Sequence, residues 1–144
     1  MAAGTVAARA DALRSTPLFA RLSRSALQKI ARATTDIEAE PGTVLIEAGR
    51  PGQGMFVLIK GKVEVQMRGR RAELGPGDFF GEIALLRPDA VRTARVVAKT
   101  RVHCLAIDRA SFSEILTAHP QLAISVLETA LRRLAEQTVR PSRS

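Results

Sequence analysis

The sequence has no tryptophan and no tyrosine, one cysteine and two histidines. A single thiol, Cys104, rules out an intrachain disulfide. It lies in the apolar run Val102-His103-Cys104-Leu105-Ala106-Ile107 and reads as a small buried hydrophobe rather than a reactive thiol. A reducing, cytosolic setting follows. Two histidines cannot build the clustered ligand set of a metal enzyme: His103 sits in the apolar run, and His119 precedes a proline that starts a helix. No Ser-His-Asp or Cys-His arrangement stands out either, so no metal, no cofactor and no enzymatic activity are expected. No apolar run approaches the ~18–20 residues of a membrane span. The first residues, MAAGTVAARADALRS, lack the apolar stretch of a signal peptide. The chain is expected to be cytoplasmic, or to be the cytosolic part of a membrane protein, without inserting into a membrane itself.

What is present is a folded composition. The chain has 144 residues, 46% hydrophobic and 25% charged, enough for one domain with one core and too apolar for a disordered chain. The net charge is +8, carried by 18 arginines and 4 lysines against 14 acids. Such a balance raises nucleic acid as a partner. The arginines are scattered, however, the densest cluster being Arg68-Gly69-Arg70-Arg71, and the five phenylalanines are the only aromatics. A solvated basic surface is the better reading, and nucleic acid is not expected as a partner.

Three zones follow along the chain. Residues 6–35 read as helical, with Leu13, Leu18, Phe19, Leu22, Leu27 and Ile30 at helical spacings, a break at Ser15-Thr16-Pro17, and Ser23 or Ser25 as the next cap. Residues 36–108 are punctuated by glycine and proline between short β-type runs: Val44–Ile46, Met55–Ile59, Lys62–Met67, Arg95–Ala98 and Val102–Ile107. Short strands with regular turn signals predict an all-β sandwich or barrel. In Lys62–Met67, Val63, Val65 and Met67 alternate with polar residues, which predicts one wet face. Residues 109–138 are helical again, capped by Asp108, interrupted at His119-Pro120, and continued by an amphipathic helix with Ala123, Leu127, Ala130, Leu131 and Leu134 on one side. Residues 139–144 read as a disordered tail.

One segment carries chemistry. Phe80-Gly81-Glu82-Ile83-Ala84-Leu85-Leu86 follows Gly75-Pro76-Gly77, and Arg92-Thr93-Ala94 closes the loop ten residues after Glu82. Gly81 lets backbone approach a ligand. A short helical turn opening at Glu82 exposes N–H groups that favour an anion. Arg92 adds a planar fork suited to phosphate. A glutamate does not help bind an anion; a sugar hydroxyl is its natural donor. The local chemistry points to a phosphate and a hydroxyl held side by side. It also permits a plain Glu82–Arg92 surface bridge, worth only ~0–1 kcal/mol.

The same residues resemble the cyclic nucleotide-binding domain family. The resemblance runs through Glu47-Ala48-Gly49 to Gly54, Met55 to Val65, Leu74-Gly75-Pro76-Gly77-Asp78-Phe79-Phe80-Gly81-Glu82-Ile83-Ala84-Leu85-Leu86 and Arg92-Thr93-Ala94, and covers roughly residues 13–134. Phe-Gly-Glu-x-Ala-Leu-Leu…Arg-Thr-Ala resembles the family's phosphate-binding cassette, here residues 80–94. It departs from many relatives in Val91 before the arginine and Arg95 after the alanine.

The resemblance implies a mainly β fold: an eight-stranded, jelly-roll-like β-roll between an N-terminal helical bundle and two C-terminal helices, as one domain over 1–144. It implies cAMP, or cGMP, as the ligand. Glu82 then accepts from the ribose 2′-hydroxyl, Arg92 pairs with the cyclic phosphate, and backbone N–H groups at Gly81, Ile83 and Ala84 complete the cradle. Thr93 donates to the phosphate or to a guanine. Val63, Val65, Leu74 and Phe80 pack on sugar and base. The last helix acts as a lid through Leu131, Arg132, Arg133 and Leu134. The few residues between that helix and Ser144 leave no room for a helix-turn-helix, so DNA binding by this chain is not expected. A fused or associated channel, transporter or enzyme is implied as the effector. The alternative is the same fold serving only for docking or oligomerisation.

Overall fold

The computed structural model describes residues 4–47, 54–67, 69–81 and 94–138, with the side chains of 134 and 136–138 also outside the description. Helix α1 (Val6–Arg14) is capped by Thr5, whose hydroxyl accepts from Ala8 N at 3.0 Å. Helix α2 (Arg24–Arg32) is capped in the same way by Ser23, at 3.1 Å from Ala26 N. Between them Thr16 turns its buried hydroxyl back to Leu13 O at 2.6 Å. The strands are β1 (Thr34–Ala39), β2 (Val44–Ile46), β3 (Gly54–Lys60), β4 (Val63–Met67), β5 (Arg70–Leu74), β6 (Phe79–Phe80), β7 (Arg95–Ala98) and β8 (Val102–Asp108). Helices α3 (Arg109–Ala118) and α4 (Pro120–Thr138) close the order. Asp108 caps α3, accepting from Ser111 N at 2.8 Å, and Pro120 opens α4, both as expected.

Two antiparallel four-stranded sheets form, β1-β8-β3-β6 and β2-β7-β4-β5. The eight-stranded mainly β architecture with flanking helices is therefore present. Alternation along β3 and β8 explains the layering. Met55, Val57, Leu105 and Ile107 face the helices and pack with Leu13, Phe19, Leu27, Ile30, Phe112, Leu122 and Val126. Leu58, Val102 and Cys104 point the other way, into a second core with Ile46, Val63, Val96 and Ala98 of the facing sheet. Strands β3 and β8 are apolar on both faces because both are covered. β4 keeps a wetter face, where Glu64 meets Arg71 at 3.7 Å.

The sequence reading missed three strands and misplaced one boundary. β1 (TTDIEA) and β5 (RRAEL) are polar runs at sheet edges, β6 has two residues, and β1 begins at Thr34, inside the zone read as helical. The face of α4 also needs correction. Leu122, Val126 and Ala130 are buried, whereas Leu127 is 48% exposed and Leu131 57%. The apolar arc of α4 is wider than one core contact, and spacing alone did not tell which part of it faces inward.

The buried Cys104 thiol yields a prediction. Burial pushes its pKa from an ordinary 9.0 up to about 12. A thiol reagent at pH 8 should label the unfolded chain promptly and the native chain hardly at all. Above pH 9 the unfolded chain releases this proton while the native chain keeps it, so Cys104 should erode stability as pH rises towards 12. Cys104→Ala should flatten that alkaline loss in denaturant titrations across this range.

Candidate functional site

The site is built around a turn. Gly75-Pro76-Gly77-Asp78 has proline at its second position and Gly77 at φ 95°, and Asp78 N donates to Gly75 O at 3.1 Å, the pattern of a type II turn. The Asp78 carboxylate accepts from Gly75 N at 2.9 Å. The turn is fixed to β3 by Leu58 N donating to Asp78 O and Gly77 N donating to Leu58 O, both at 2.8 Å. β6 follows at once and is held from both sides. Phe79 packs among the helices, with the Arg133 guanidinium 5.1 Å from its ring centre. Phe80 enters the core between the sheets and stacks on Phe56, ring centres 5.1 Å apart and planes within 12°.

Gly81 comes next at φ 91°, a left-handed conformation that glycine adopts without strain. The chain is described again from Ala94, and Arg95 opens β7. β6 belongs to the first sheet and β7 to the second, so the intervening segment links the two sheets. Its ends are anchored by Phe80 opposite Phe56 and by Arg95 opposite Gln66. Glu82, Ile83, Ala84, Arg92 and Thr93 lie outside the described residues.

The apolar residues expected to line the site can be placed. Val63, Val65, Leu74 and Phe80 all belong to the inter-sheet core. Val63 and Phe80 are closed to solvent at 0% and 3% exposure, while Val65 and Leu74 are partly open. Val65 pairs with Val96, next to the point where the segment rejoins the sheet; Val63 and Leu74 pair with each other two residues farther on. Phe56, also partly open, was missed by the sequence reading. Alternation in β3 carries the signal, since Phe56 shares the face of Leu58. Arg95, the departure noted above, is exposed and turns to Glu47 at 3.6 Å. It joins a pattern of surface pairing in which Lys62 and Lys99 meet Glu73, Arg71 meets Glu64, and Arg101 meets Glu38 and Glu40. The hydrogen bond from Lys99 holds the Glu73 carboxyl below its ordinary pKa, and Glu73 raises that of Lys99.

Of the residues expected to form a lid, Leu131 and Arg132 are exposed, Arg132 lying 3.4 Å from Thr129 Oγ1, and Arg133 covers Phe79. The Leu134 side chain lies outside the description. His103 is partnered structurally. Its Nε2 lies 2.7 Å from Asp36 Oδ1, and Arg9 of α1 reaches the other carboxylate oxygen at 3.3 Å. The three tie α1 to β1 and β8.

The sequence model of the cyclic nucleotide-binding domain matches residues 36–119, more than half of the chain. The chain belongs to the cyclic nucleotide-binding domain family. It is similar to a cyclic nucleotide-gated potassium channel of Rhizobium etli, 37% identical over 117 residues, covering 81% of this chain and 33% of the channel. Among solved structures it resembles a cAMP-binding acyltransferase from Mycobacterium smegmatis, an R95K mutant, at 33% identity and TM-score 0.73, covering 91% of this chain and 42% of that one. It also resembles the regulatory subunit of a cAMP-independent protein kinase A from Trypanosoma brucei, at 26% identity and TM-score 0.72, covering 92% of this chain and 49% of that one. The domain thus spans about a third of the channel it matches.

Proposed function

We propose that this domain binds a cyclic nucleotide in the 80–94 segment and signals through α4. The observation that carries the proposal concerns the flanks of that segment: its sequence has the family's Phe-Gly-Glu and Arg-Thr-Ala motifs, and Phe80 before it and Arg95 after it are paired on two different sheets, with Phe56 and Val65 nearby. In this reading Arg92 pairs with the cyclic phosphate, and the N–H groups of Gly81, Ile83 and Ala84 complete its cradle. Glu82 accepts from the ribose 2′-hydroxyl, and Thr93 donates to the phosphate or a guanine. Phe80, Val63, Val65 and Leu74 form the apolar wall, Val65 and Leu74 being the two with surface to offer. Glu82→Ala should lower affinity for cAMP by about tenfold or more and leave a 2′-deoxy analogue nearly unaffected. Equal losses for both ligands in calorimetry would assign Glu82 to loop structure instead.

Signalling requires α4 to differ between two states. The Arg133–Phe79 contact joins α4 to the strand that leads into the cassette. Ligand seated after Gly81 repositions β6 and with it α4, bringing Leu131, Arg132, Arg133 or Leu134 over the base. Arg133→Ala removes a cation–π contact worth about 0.5–1 kcal/mol, so amide protection in the last turns of α4 should fall about 2- to 5-fold without ligand. Unchanged hydrogen exchange there would remove Arg133 from the coupling.

The effector is a fused or associated channel, transporter or enzyme, and the domain itself performs no catalysis. It works in the cytoplasm or on the cytosolic side of a membrane protein, and nucleic acid is not its partner. Among the described residues no helix is long and apolar enough to cross a membrane. A second reading, docking without nucleotide, is supported by the resemblance to the subunit from a cAMP-independent kinase. Direct titration separates the two.

A further inference from the structure

Positive charge is balanced on the sheets and unbalanced on the N-terminal helices. On the sheets, Lys62 and Lys99 meet Glu73, Arg71 meets Glu64, and Arg101 meets Glu38 and Glu40. Between Ala12 and Thr35 the sequence has no acid, yet it has Arg14, Arg21, Arg24, Lys29 and Arg32. All five are exposed, and among the described residues none of their side chains has an ion pair or a hydrogen bond. Arg14 has Asp11 one turn before it on α1; the other four have no such neighbour.

α2 concentrates this charge on one side. Arg24, Gln28 and Arg32 stand at intervals of four and Lys29 stands beside Gln28, while Leu27, Ile30 and Ala31 are buried on the other side. From Arg24 to Arg32 the basic face runs about 12 Å at 1.5 Å per residue. Part of the charge also sits where the helix disfavours it. Arg24 is in the first turn, which holds no acid, and Arg21 precedes the Ser23 cap by two residues. A cation there opposes the helix dipole, so the sequence accepts a local cost to keep this end positive.

We propose that the basic face of α2, with Arg21, docks on an anionic lipid bilayer. Four clustered cations are enough to hold to acidic headgroups. The face lacks what other anionic partners use. The large hydrophobic side chains exposed among the described residues all lie on α4, so this face has no apolar anchor of the kind that carries a protein interface. Phe19, the aromatic nearest in sequence, is buried and cannot stack on a base. Charge alone remains, which suits a surface of many headgroups and gives a contact that is peripheral and reversed by salt. The proposal does not depend on whether the cassette binds nucleotide.

The test is sedimentation of the full chain with vesicles of phosphatidylcholine, alone or with phosphatidylserine. Wild type should bind the phosphatidylserine vesicles, stay in solution with phosphatidylcholine alone, and be released between about 0.05 and about 0.5 M NaCl. Arg24→Gln/Lys29→Gln should weaken binding about 25-fold, at about fivefold per charge near an anionic surface. Lys62→Gln/Arg71→Gln removes as much charge from the sheets and should change binding little. Both variants should keep the wild-type melting temperature and affinity for cAMP, since the four positions are exposed and outside the cassette. No binding to phosphatidylserine vesicles, or binding that survives the α2 variant, would overturn the proposal. Equal losses in the two variants would assign the binding to net charge rather than to this face and overturn it too. Tighter binding to polyglutamate or to duplex DNA than to the vesicles, lost in the α2 variant, would give the face to an acidic protein or a nucleic acid instead. Loss of nucleotide binding in wild type with vesicle binding intact would count against the cassette alone.

Discussion

Arg92→Ala should weaken cAMP binding by roughly 10- to 150-fold, because a hydrogen-bonded partner to a charged group contributes about 1.5–3 kcal/mol. Arg92 follows Glu82 in the family's cassette pattern, three residues before β7 begins at Arg95. A guanidinium offers two parallel donors to a phosphate, which an ammonium does not, so Arg92→Lys should recover only part of the loss. The melting temperature without ligand should be unchanged in both variants. Wild-type affinity in Arg92→Ala, measured by calorimetry, would mean that another group holds the phosphate.

Gly61→Ala should cost more stability than alanine at Gly4, Gly42, Gly54, Gly69, Gly75 or Gly77. Gly61 has φ 90° and joins β3 of one sheet to β4 of the other. The 99–101 connection crosses between the same sheets and lies against it: Lys62 N donates to Thr100 Oγ1 at 3.0 Å, and Lys99 N donates to Lys62 O at 2.8 Å. An added Cβ at Gly61 would stand 2.2 Å from Arg101 O and 2.9 Å from Val102 Cγ1. The left-handed backbone costs about 1–2 kcal/mol on its own, and relief of the clash requires one crossing to move, for a total of roughly 3–4 kcal/mol. The melting temperature should fall by about 10 °C. Gly42→Ala is the control. Gly42 has φ 92° with nothing within 4 Å of an added Cβ, so only the backbone cost applies. Equal losses at the two positions in thermal melts would show that the crossings can yield.

What could be read in the sequence follows from how locally each feature is encoded. The strand run at Val63–Met67, the caps Ser23 and Asp108, and the helix start at Pro120 are short-range patterns, and the structure carries them. β1 and β5 are edge strands whose polar side chains pair across the surface; β1 takes its strand character from a neighbour distant in sequence, with Leu105 and Cys104 beside Asp36 and Ile37, and β5 from pairing with the preceding β4, which its polar run RRAEL does not announce. The tie from Arg9 to Asp36 to His103 spans most of the chain and has no local signature. The motif named Gly81, Glu82 and Arg92, but only the sheet order shows that the strands flanking the motif, β6 and β7, belong to different sheets. The inward face of α4 was misread because its apolar arc includes both a core contact and an exposed stripe.

The central claim is that this domain binds a cyclic nucleotide. Isothermal titration of the nucleotide-stripped chain with cAMP, then cGMP, with 5′-AMP as control, tests it directly. Saturable binding of at least one cyclic nucleotide and none of 5′-AMP is the expected result, and the order of the two affinities assigns the ligand. A folded, empty chain that releases no heat and shows no thermal shift with either cyclic nucleotide would contradict the account and leave docking as its function.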